Sequence, residues 1–157
     1  MRLARRHSRE RGHAMIELAL CAGLMMACLS GAFQFGYTFY VYDQLVSAVG
    51  NGARYAASRT YRAAQESDVE KGNAAIRNLV VYGNERPAPD AAPIAPSLKP
   101  ENVLVNWVKD SSGAPSAVDV TLVHYSVGAV FGSFTFDHRP FAEFPYIGRY
   151  APSESEP

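Results

Sequence analysis

The chain has 157 residues with 15 basic and 15 acidic side chains, so its formal net charge is zero. No basic patch supports nucleic-acid binding apart from the N-terminal arginine cluster, and that cluster adjoins an apolar segment. The residues after Tyr42 contain no cysteine, so disulfides do not hold that part of the chain together. The charge is nevertheless uneven: residues 1–12 carry five arginines and one glutamate, whereas residues 43–157 carry ten basic and thirteen acidic residues. Through the positive-inside rule, this asymmetry predicts a cytoplasmic N-terminus and a body on the opposite side of a membrane.

An uncharged stretch runs from Leu18 to Tyr42. As a helix it would be about 37 Å long, which exceeds the roughly 30 Å hydrocarbon core of a bilayer. The last ten residues of the stretch are rich in aromatic side chains, which are typical of a membrane interface. These are Phe33, Phe35, Tyr37, Phe39, Tyr40 and Tyr42. We therefore expect a transmembrane helix over residues 13–42, surrounded by membrane lipid.

Both cysteines, Cys21 and Cys28, lie inside this stretch and are seven residues apart. On a helix that spacing is about 10 Å of rise, which is too long for a disulfide between them. A lipoprotein site at Cys21 is disfavoured, because Leu20 is a poor small residue for the position before the cut and few apolar residues precede it. We expect both cysteines to pack as small apolar side chains.

One acidic residue, Glu17, lies just inside the apolar segment, five residues after Gly12. A carboxylate there is costly to bury, so the position needs an explanation. The arrangement resembles the processing site of type IV pilin-like proteins, in which a basic leader ends in Gly and the fifth mature residue is Glu. The resemblance places cleavage between Gly12 and His13 by a prepilin peptidase, with residues 1–12 as the leader.

Two interpretations of Glu17 remain open. The carboxylate can be solvated near the cytoplasmic headgroups, since it is little more than one turn from Gly12. Alternatively, cleavage creates an α-amino group at His13 with a pKa near 8. In the pilin-like pattern, that amine pairs with the glutamate of a neighbouring subunit, which would set register more than net stability.

Four small residues recur at four-residue intervals along the apolar segment. This spacing forms one ridge on a helix and permits close approach of a second helix in lipid. The ridge consists of Ala19, Gly23, Ala27 and Gly31.

Residues 43–86 read as a helical stalk followed by an amphipathic helix. Leu45, Val49, Ala53 and Ala56 form one apolar stripe, and Gly50 and Gly52 suggest a bend. The second helix is expected to start after Ser67 in a capping box and to stop at Gly83. The residues spaced for its buried face are Val69, Asn73, Ile76 and Leu79 or Val80.

The segment Gly52, Ala53, Arg54, Tyr55, Ala56 provides a second resemblance. Together with Gly12 and Glu17, it is similar to the TadE-like family, most clearly over residues 11–60. That resemblance implies a minor pilin-like component of a tight-adherence (Tad) pilus, in the bacterial inner membrane with a periplasmic or extracellular body. It further implies other pilin-like subunits and an inner-membrane pilus platform as partners. Leu18 follows the glutamate where major Tad pilins have Tyr, which favours a minor component.

The rest of the chain predicts a small β region. Residues 87–101 hold five prolines and read as a linker. Within residues 102–150, alternating runs at 103–108 and 118–123 flank the turn residues 110–113 and indicate an antiparallel hairpin, with Phe134 to Phe136 as a third strand. Residues 151–157 form a polar tail expected to be disordered. The predicted class is α+β: a long N-terminal transmembrane helix, one or two further helices and a small antiparallel sheet.

No catalytic constellation is visible, and we expect neither an enzyme nor a cofactor. His124, on a predicted strand, and His138, in a loop, have no metal ligands at suitable spacing. The pair His13 and Glu17 offers two ligands, which is too few for a metal site. Two alternatives to a processed pilin-like subunit remain: a permanently anchored periplasmic scaffold or binding protein, and a secreted domain released after Ser30 or Gly31.

Overall fold

The structure, a computed structural model, describes residues 4–62, 66–129 and 132–151. The chain divides into two compact units, Met1–Thr38 and Phe39–Pro157. Helix α1 (Ala4–Ser58) supplies the described part of the first unit and the first element of the second. Strand β1 (Tyr61–Arg62) and helix α2 (Glu66–Tyr82) follow, and a 3-10 turn covers Pro100–Asn102. The predicted α+β class is confirmed.

The predicted apolar stripe of α1 is buried in the second unit. Leu45, Val49, Ala53 and Ala56 are each fully inaccessible to solvent. Their spacing of four, four and three residues keeps one helix face toward the core. The helix also continues through Gly50 and Gly52 up to Ser58, so these two glycines do not end it.

Helix α2 ends as predicted and starts slightly earlier. Ile76 and Val80 are fully buried, as expected for the apolar face. Gly83 adopts φ +69° and donates its N–H to the carbonyl of Leu79 at 2.9 Å, which is the left-handed helix end that glycine favours. Because the helix already includes Glu66, Ser67 lies within the first turn and the capping-box prediction is wrong.

The main sheet has three antiparallel strands. Strands β2 (Val103–Lys109) and β3 (Pro115–Leu122) form the predicted hairpin, and Asp110 accepts backbone N–H groups from Ser112 and Ala114 in the turn. The third strand of this sheet is β6 (Phe141–Pro145), which pairs with β3.

The strand at Phe134 to Phe136 belongs to a separate hairpin. Strands β4 (Tyr125–Ala129) and β5 (Gly132–Phe136) pair only with each other among the described residues. His124 precedes this hairpin in a left-handed conformation with φ +52°, so it is not on a strand as the sequence had suggested. The short β7 (Tyr150–Ala151) pairs in parallel with β1 and ties the C-terminal segment to the end of α1.

The proline-containing segment contributes to the core of the second unit. It carries no helix or strand between Gly83 and the turn at Pro100. Ala95 and Leu98 are nevertheless buried, and Ile94 donates its N–H to the carbonyl of Val81 at 2.8 Å. The prolines therefore shape a loop that packs on α2. The predicted tail begins at the last residue of β7, and its remainder, 152–157, lies outside the described residues.

Candidate membrane segment and processing site

The N-terminal part of α1 is an exposed apolar helix. The stretch Gly12–Ser58 is long and apolar enough to cross a membrane; its most apolar 18-residue window has a mean hydropathy of 1.9 and contains no buried residue. Large apolar side chains point outward along it, with Leu20 at 72 % and Leu24 at 69 % exposed. Such exposure is unfavourable in water and favourable in lipid.

The predicted cleavage site lies on this helix and is open. Gly12, His13 and Glu17 are all exposed, and a Cβ placed at Gly12 would meet no atom within 4 Å. Glu17 follows Gly12 by five positions on the helix, which corresponds to about 7.5 Å of rise between the two residues. Within the described part of the chain, Glu17 has no hydrogen-bond or ion-pair partner. The carboxylate is thus available to a group from outside the chain.

The small-residue ridge is uncovered. Ala19, Gly23 and Ala27 are exposed and Gly31 is half-buried. A Cβ added at Gly23 or Gly31 would meet nothing within 4 Å. The ridge therefore offers space for the close approach of another helix, and its predicted packing role stays a prediction.

Two polar residues inside the apolar run, Gln34 and Thr38, form hydrogen bonds with each other, which we did not predict from the sequence. Thr38 donates its hydroxyl to the carbonyl of Gln34 at 3.0 Å, and Gln34 Nε2 donates to Thr38 Oγ1 at 3.4 Å. Their i, i+4 spacing was the available indication. This local bonding lowers the cost of placing both side chains near a hydrocarbon layer.

The segment from Gly52 to Ala56 anchors α1 within the second unit. Gly52 lies against Val80 of α2 so closely that a Cβ at this position would overlap Val80 Cγ2. Arg54 places its guanidinium carbon 5.5 Å from the centroid of the Phe144 ring on β6, which is a cation–π contact. Ala56 is fully buried in the core.

Tyr55 links the end of α1 to the loop after α2. Its hydroxyl donates to the carboxylate of Glu85 and accepts a hydrogen bond from Arg59 Nη1 at 2.8 Å. The Arg59 guanidinium also lies over the Tyr55 ring, with its carbon 5.5 Å from the ring centroid. The residues Gly52, Arg54 and Tyr55 therefore each hold α1 against a different part of the fold, which a spacing argument alone could not reveal.

A second tyrosine, Tyr146, joins the C-terminal segment to the residues that follow α1. Its hydroxyl oxygen accepts the N–H of Tyr61 at 2.9 Å and lies 2.7 Å from the carbonyl oxygen of Arg59 and 2.8 Å from that of Arg149. Burial raises the pKa of the Tyr146 hydroxyl above its usual value, an effect that the N–H of Tyr61 partly opposes.

The described residues show no metal-binding constellation. No group of three His, Cys, Asp or Glu side chains is close enough to hold an ion in them. A cavity of about 350 Å³ lies beside Tyr61 and Trp107 and is also lined by Asp68 and Lys71. Among its described lining residues, Asp68 and Lys71 form an ion pair, with Lys71 Nζ 3.7 Å from Asp68 Oδ1.

The family model of the TadE-like proteins matches residues 12–54. This stretch of the chain is TadE-like. The match begins at the predicted cleavage glycine and includes Glu17, the whole small-residue ridge, Gly52 and Arg54. It covers about a quarter of the chain, and α2 and all strands lie outside it.

No curated protein and no solved structure matches the chain. The TadE-like segment together with an exposed apolar helix indicates a membrane-anchored component of a Tad pilus.

Proposed function

We propose that this chain is a minor pilin-like subunit that is processed by a prepilin peptidase and takes part in assembling a Tad-type adhesive pilus. The observation that carries the proposal is the position of Glu17, exposed on an apolar helix five residues after Gly12. It would act as a structural subunit and as a substrate of the peptidase, without catalysis of its own.

The helix would span the inner membrane once, with its N-terminus in the cytoplasm. Five arginines before Gly12 and none in the apolar run favour this orientation. The unit from Phe39 onward would then lie in the periplasm or outside the cell, and it contains no cysteine that could form a disulfide there.

Cleavage after Gly12 would leave the α-amino group of His13 as a cation at the start of the mature helix. Glu17 of a neighbouring pilin-like subunit would pair with this amine, and other pilin-like helices would pack on the ridge from Ala19 to Gly31. A desolvated ion pair of this kind sets the register between helices, whereas the close packing supplies attraction. The inner-membrane platform is the partner that would hold these subunits during assembly.

The assembly role can be tested by complementation. A strain lacking this gene should form few or no Tad pili, and the wild-type gene should restore the pili counted by electron microscopy. Glu17→Ala should insert into the membrane yet fail to restore pili, whereas Glu17→Asp should restore them in part. If the deletion strain is fully piliated, or if Glu17→Ala restores pili as well as wild type, the assembly proposal is wrong.

A further inference from the structure

The β4–β5 hairpin lies beside the first residues of α1 in the second unit, which begins at Phe39. Near the end of the helix, Arg54 contacts Phe144 of β6. Tyr42 comes twelve residues earlier, about 18 Å away along the helix axis. Its ring packs on Phe136, the last residue of β5, with 5.6 Å between the ring centroids. The base of the hairpin therefore lies at the end of this unit where α1 enters it.

The hairpin sequence carries no charge. No Asp, Glu, Lys or Arg occurs from Val120 to Phe136, which is the longest such stretch after Tyr42. Charged residues resume directly after β5, with Asp137 and then Arg139. Charged side chains are costly to place near lipid, so their absence removes the main obstacle to contact between this hairpin and a membrane.

One face of the hairpin is apolar. The register pairs Tyr125 with Phe136 and Val127 with Phe134, so these four side chains lie on the same face. Tyr125 and Val127 are buried in the core, and the Phe136 ring centroid lies 6.3 Å from that of Tyr125. Phe134 is one pair closer to the turn and is 43 % exposed. The apolar face thus extends beyond the part that the core covers.

The opposite face is polar but uncharged, and its exposed residues are small: Ser126, Gly128, Ser133 and Thr135. Among the described residues, β4 and β5 pair only with each other, so the outer edges of the hairpin have backbone N–H and C=O groups without strand partners. Such groups cannot enter the hydrocarbon core of a bilayer, whereas the hydrated headgroup layer can bond them. The hairpin is therefore suited to the headgroup layer and not to deeper insertion.

Exposed aromatic side chains of α1 lie at the same end of the unit. Phe39 is 70 % exposed and Tyr40 is 61 % exposed. Aromatic side chains are favoured at membrane interfaces. We propose that the β4–β5 hairpin rests in the lipid headgroup layer through Phe134, as a second membrane contact of this chain beside α1. The proposal rests on the membrane-spanning helix of the proposed function, and it does not require cleavage at Gly12.

Quenching of a fluorescent dye by labelled lipids tests this contact in the full-length chain. The native cysteines are first replaced, as Cys21→Ala and Cys28→Ala. Single cysteines are then introduced as Ser133→Cys, Phe39→Cys or Ser111→Cys and labelled with the dye. Each protein is reconstituted at a low protein-to-lipid ratio in vesicles of phosphatidylethanolamine and phosphatidylglycerol. Part of the lipid carries a nitroxide quencher, either near the headgroup or deep in the acyl chain.

The three positions have different expected results. Ser133 is exposed on the hairpin, whereas Ser111 is exposed in the β2–β3 turn, from which β3 runs toward the hairpin. The shallow quencher should quench the dye at Ser133→Cys several-fold more than the dye at Ser111→Cys, and more than the deep quencher does. The dye at Phe39→Cys reports on the helix itself and should be quenched in the same vesicles.

A charge at Phe134 tests the chemistry of the contact. In the Ser133→Cys protein, Phe134→Asp should reduce quenching by the shallow lipid toward the level at Ser111→Cys, because a carboxylate opposes burial against lipid. Phe134→Leu keeps an apolar side chain and should retain most of the quenching. Trypsin resistance equal to that of the parent protein shows that each variant is folded.

Four results would overturn the proposal. If the dye at Phe39→Cys is quenched but the dye at Ser133→Cys is quenched no more than at Ser111→Cys, the hairpin contact is wrong and the membrane helix stands. If neither of the first two dyes is quenched, the membrane helix of the proposed function fails as well. A blue-shifted emission at Ser133→Cys without quenching would mean that protein covers the hairpin. Undiminished quenching in a folded Phe134→Asp variant would show that Phe134 does not make the contact.

Discussion

Gly52 of α1 lies directly against Val80 of α2, with no room between them for a single extra carbon atom. The contact lets the two helices approach closely at the point where α1 enters the core. The sequence had suggested a bend at Gly50 and Gly52, but the helix continues through both. The two glycines differ in their surroundings, because a Cβ at Gly50 would meet nothing within 4 Å.

This difference gives a matched pair of variants. Gly52→Ala should destabilise the unit from Phe39 onward by about 1 kcal/mol, because an overpacking cost of about 1–3 kcal/mol outweighs the gain in helix propensity. Gly50→Ala should stabilise it by up to about 1 kcal/mol, since only the propensity changes. Thermal unfolding of the protein in detergent would measure both. Equal effects of the two substitutions would show that the Val80 contact has no energetic weight.

The cation–π contact between Arg54 and Phe144 should couple α1 to β6. We expect a double-mutant cycle of Arg54→Ala and Phe144→Leu to give an interaction free energy of about 0.5–1 kcal/mol. Arg54→Lys keeps the charge but loses the planar guanidinium, so part of the coupling should remain. If the two substitutions change the free energy of unfolding in a strictly additive way, the Phe144 ring and the Arg54 charge do not interact.

Alkaline pH should loosen the C-terminal segment through Tyr146. Its pKa is raised by burial, so the folded state favours the neutral hydroxyl. The resulting stability is fully present below the unfolded pKa of about 10 and is lost as pH rises through the higher folded value. The protection factor of the Tyr61 amide, which is its intrinsic exchange rate divided by its observed rate, should fall in that range, because this N–H bonds to Tyr146. Tyr146→Phe should have a lower protection factor at neutral pH and show no further fall in that range; a protection profile equal to that of wild type would contradict this role.

The small-residue ridge should matter for contacts between helices and not for the fold. Gly23→Ile or Ala27→Ile should reduce co-purification with other pilin-like subunits, because a branched side chain keeps helices apart. Met25→Leu, a volume-conserving change at a position off the ridge, serves as control. Trypsin resistance of the unit from Phe39 onward should be the same in all three variants. Normal co-purification of both ridge variants would show that other pilin-like helices do not pack on the ridge.

Local sequence patterns predicted the helices, strands and turns of this fold better than they predicted which strands pair with each other. The long apolar run, the stripe from Leu45 to Ala56 and the turn at Asp110 follow from periodicity and turn chemistry, and the structure contains each of them. The third strand of the main sheet was assigned to Phe134–Phe136, whereas the structure places Phe141–Pro145 there. Strand order depends on contacts between distant residues, which alternation within one run does not encode.

In the candidate site, too, local features could be found in the sequence and long-range contacts could not. Gly12, Glu17 and the ridge could be recognised because their spacing is local and their chemistry is unusual in an apolar helix. The roles of Arg54 and Tyr55 could not, since their partners Phe144 and Glu85 lie 90 and 30 residues further along the chain.

Processing of this chain as a pilin-like subunit can be read directly at its N-terminus. Intact mass and N-terminal sequence should be determined for the protein from membranes of cells with and without the prepilin peptidase. We expect a new end at His13 that appears only when the peptidase is present. A chain that begins at Met1 in both samples would contradict it and indicate a permanently anchored protein, and an end near Gly31 would indicate a secreted domain.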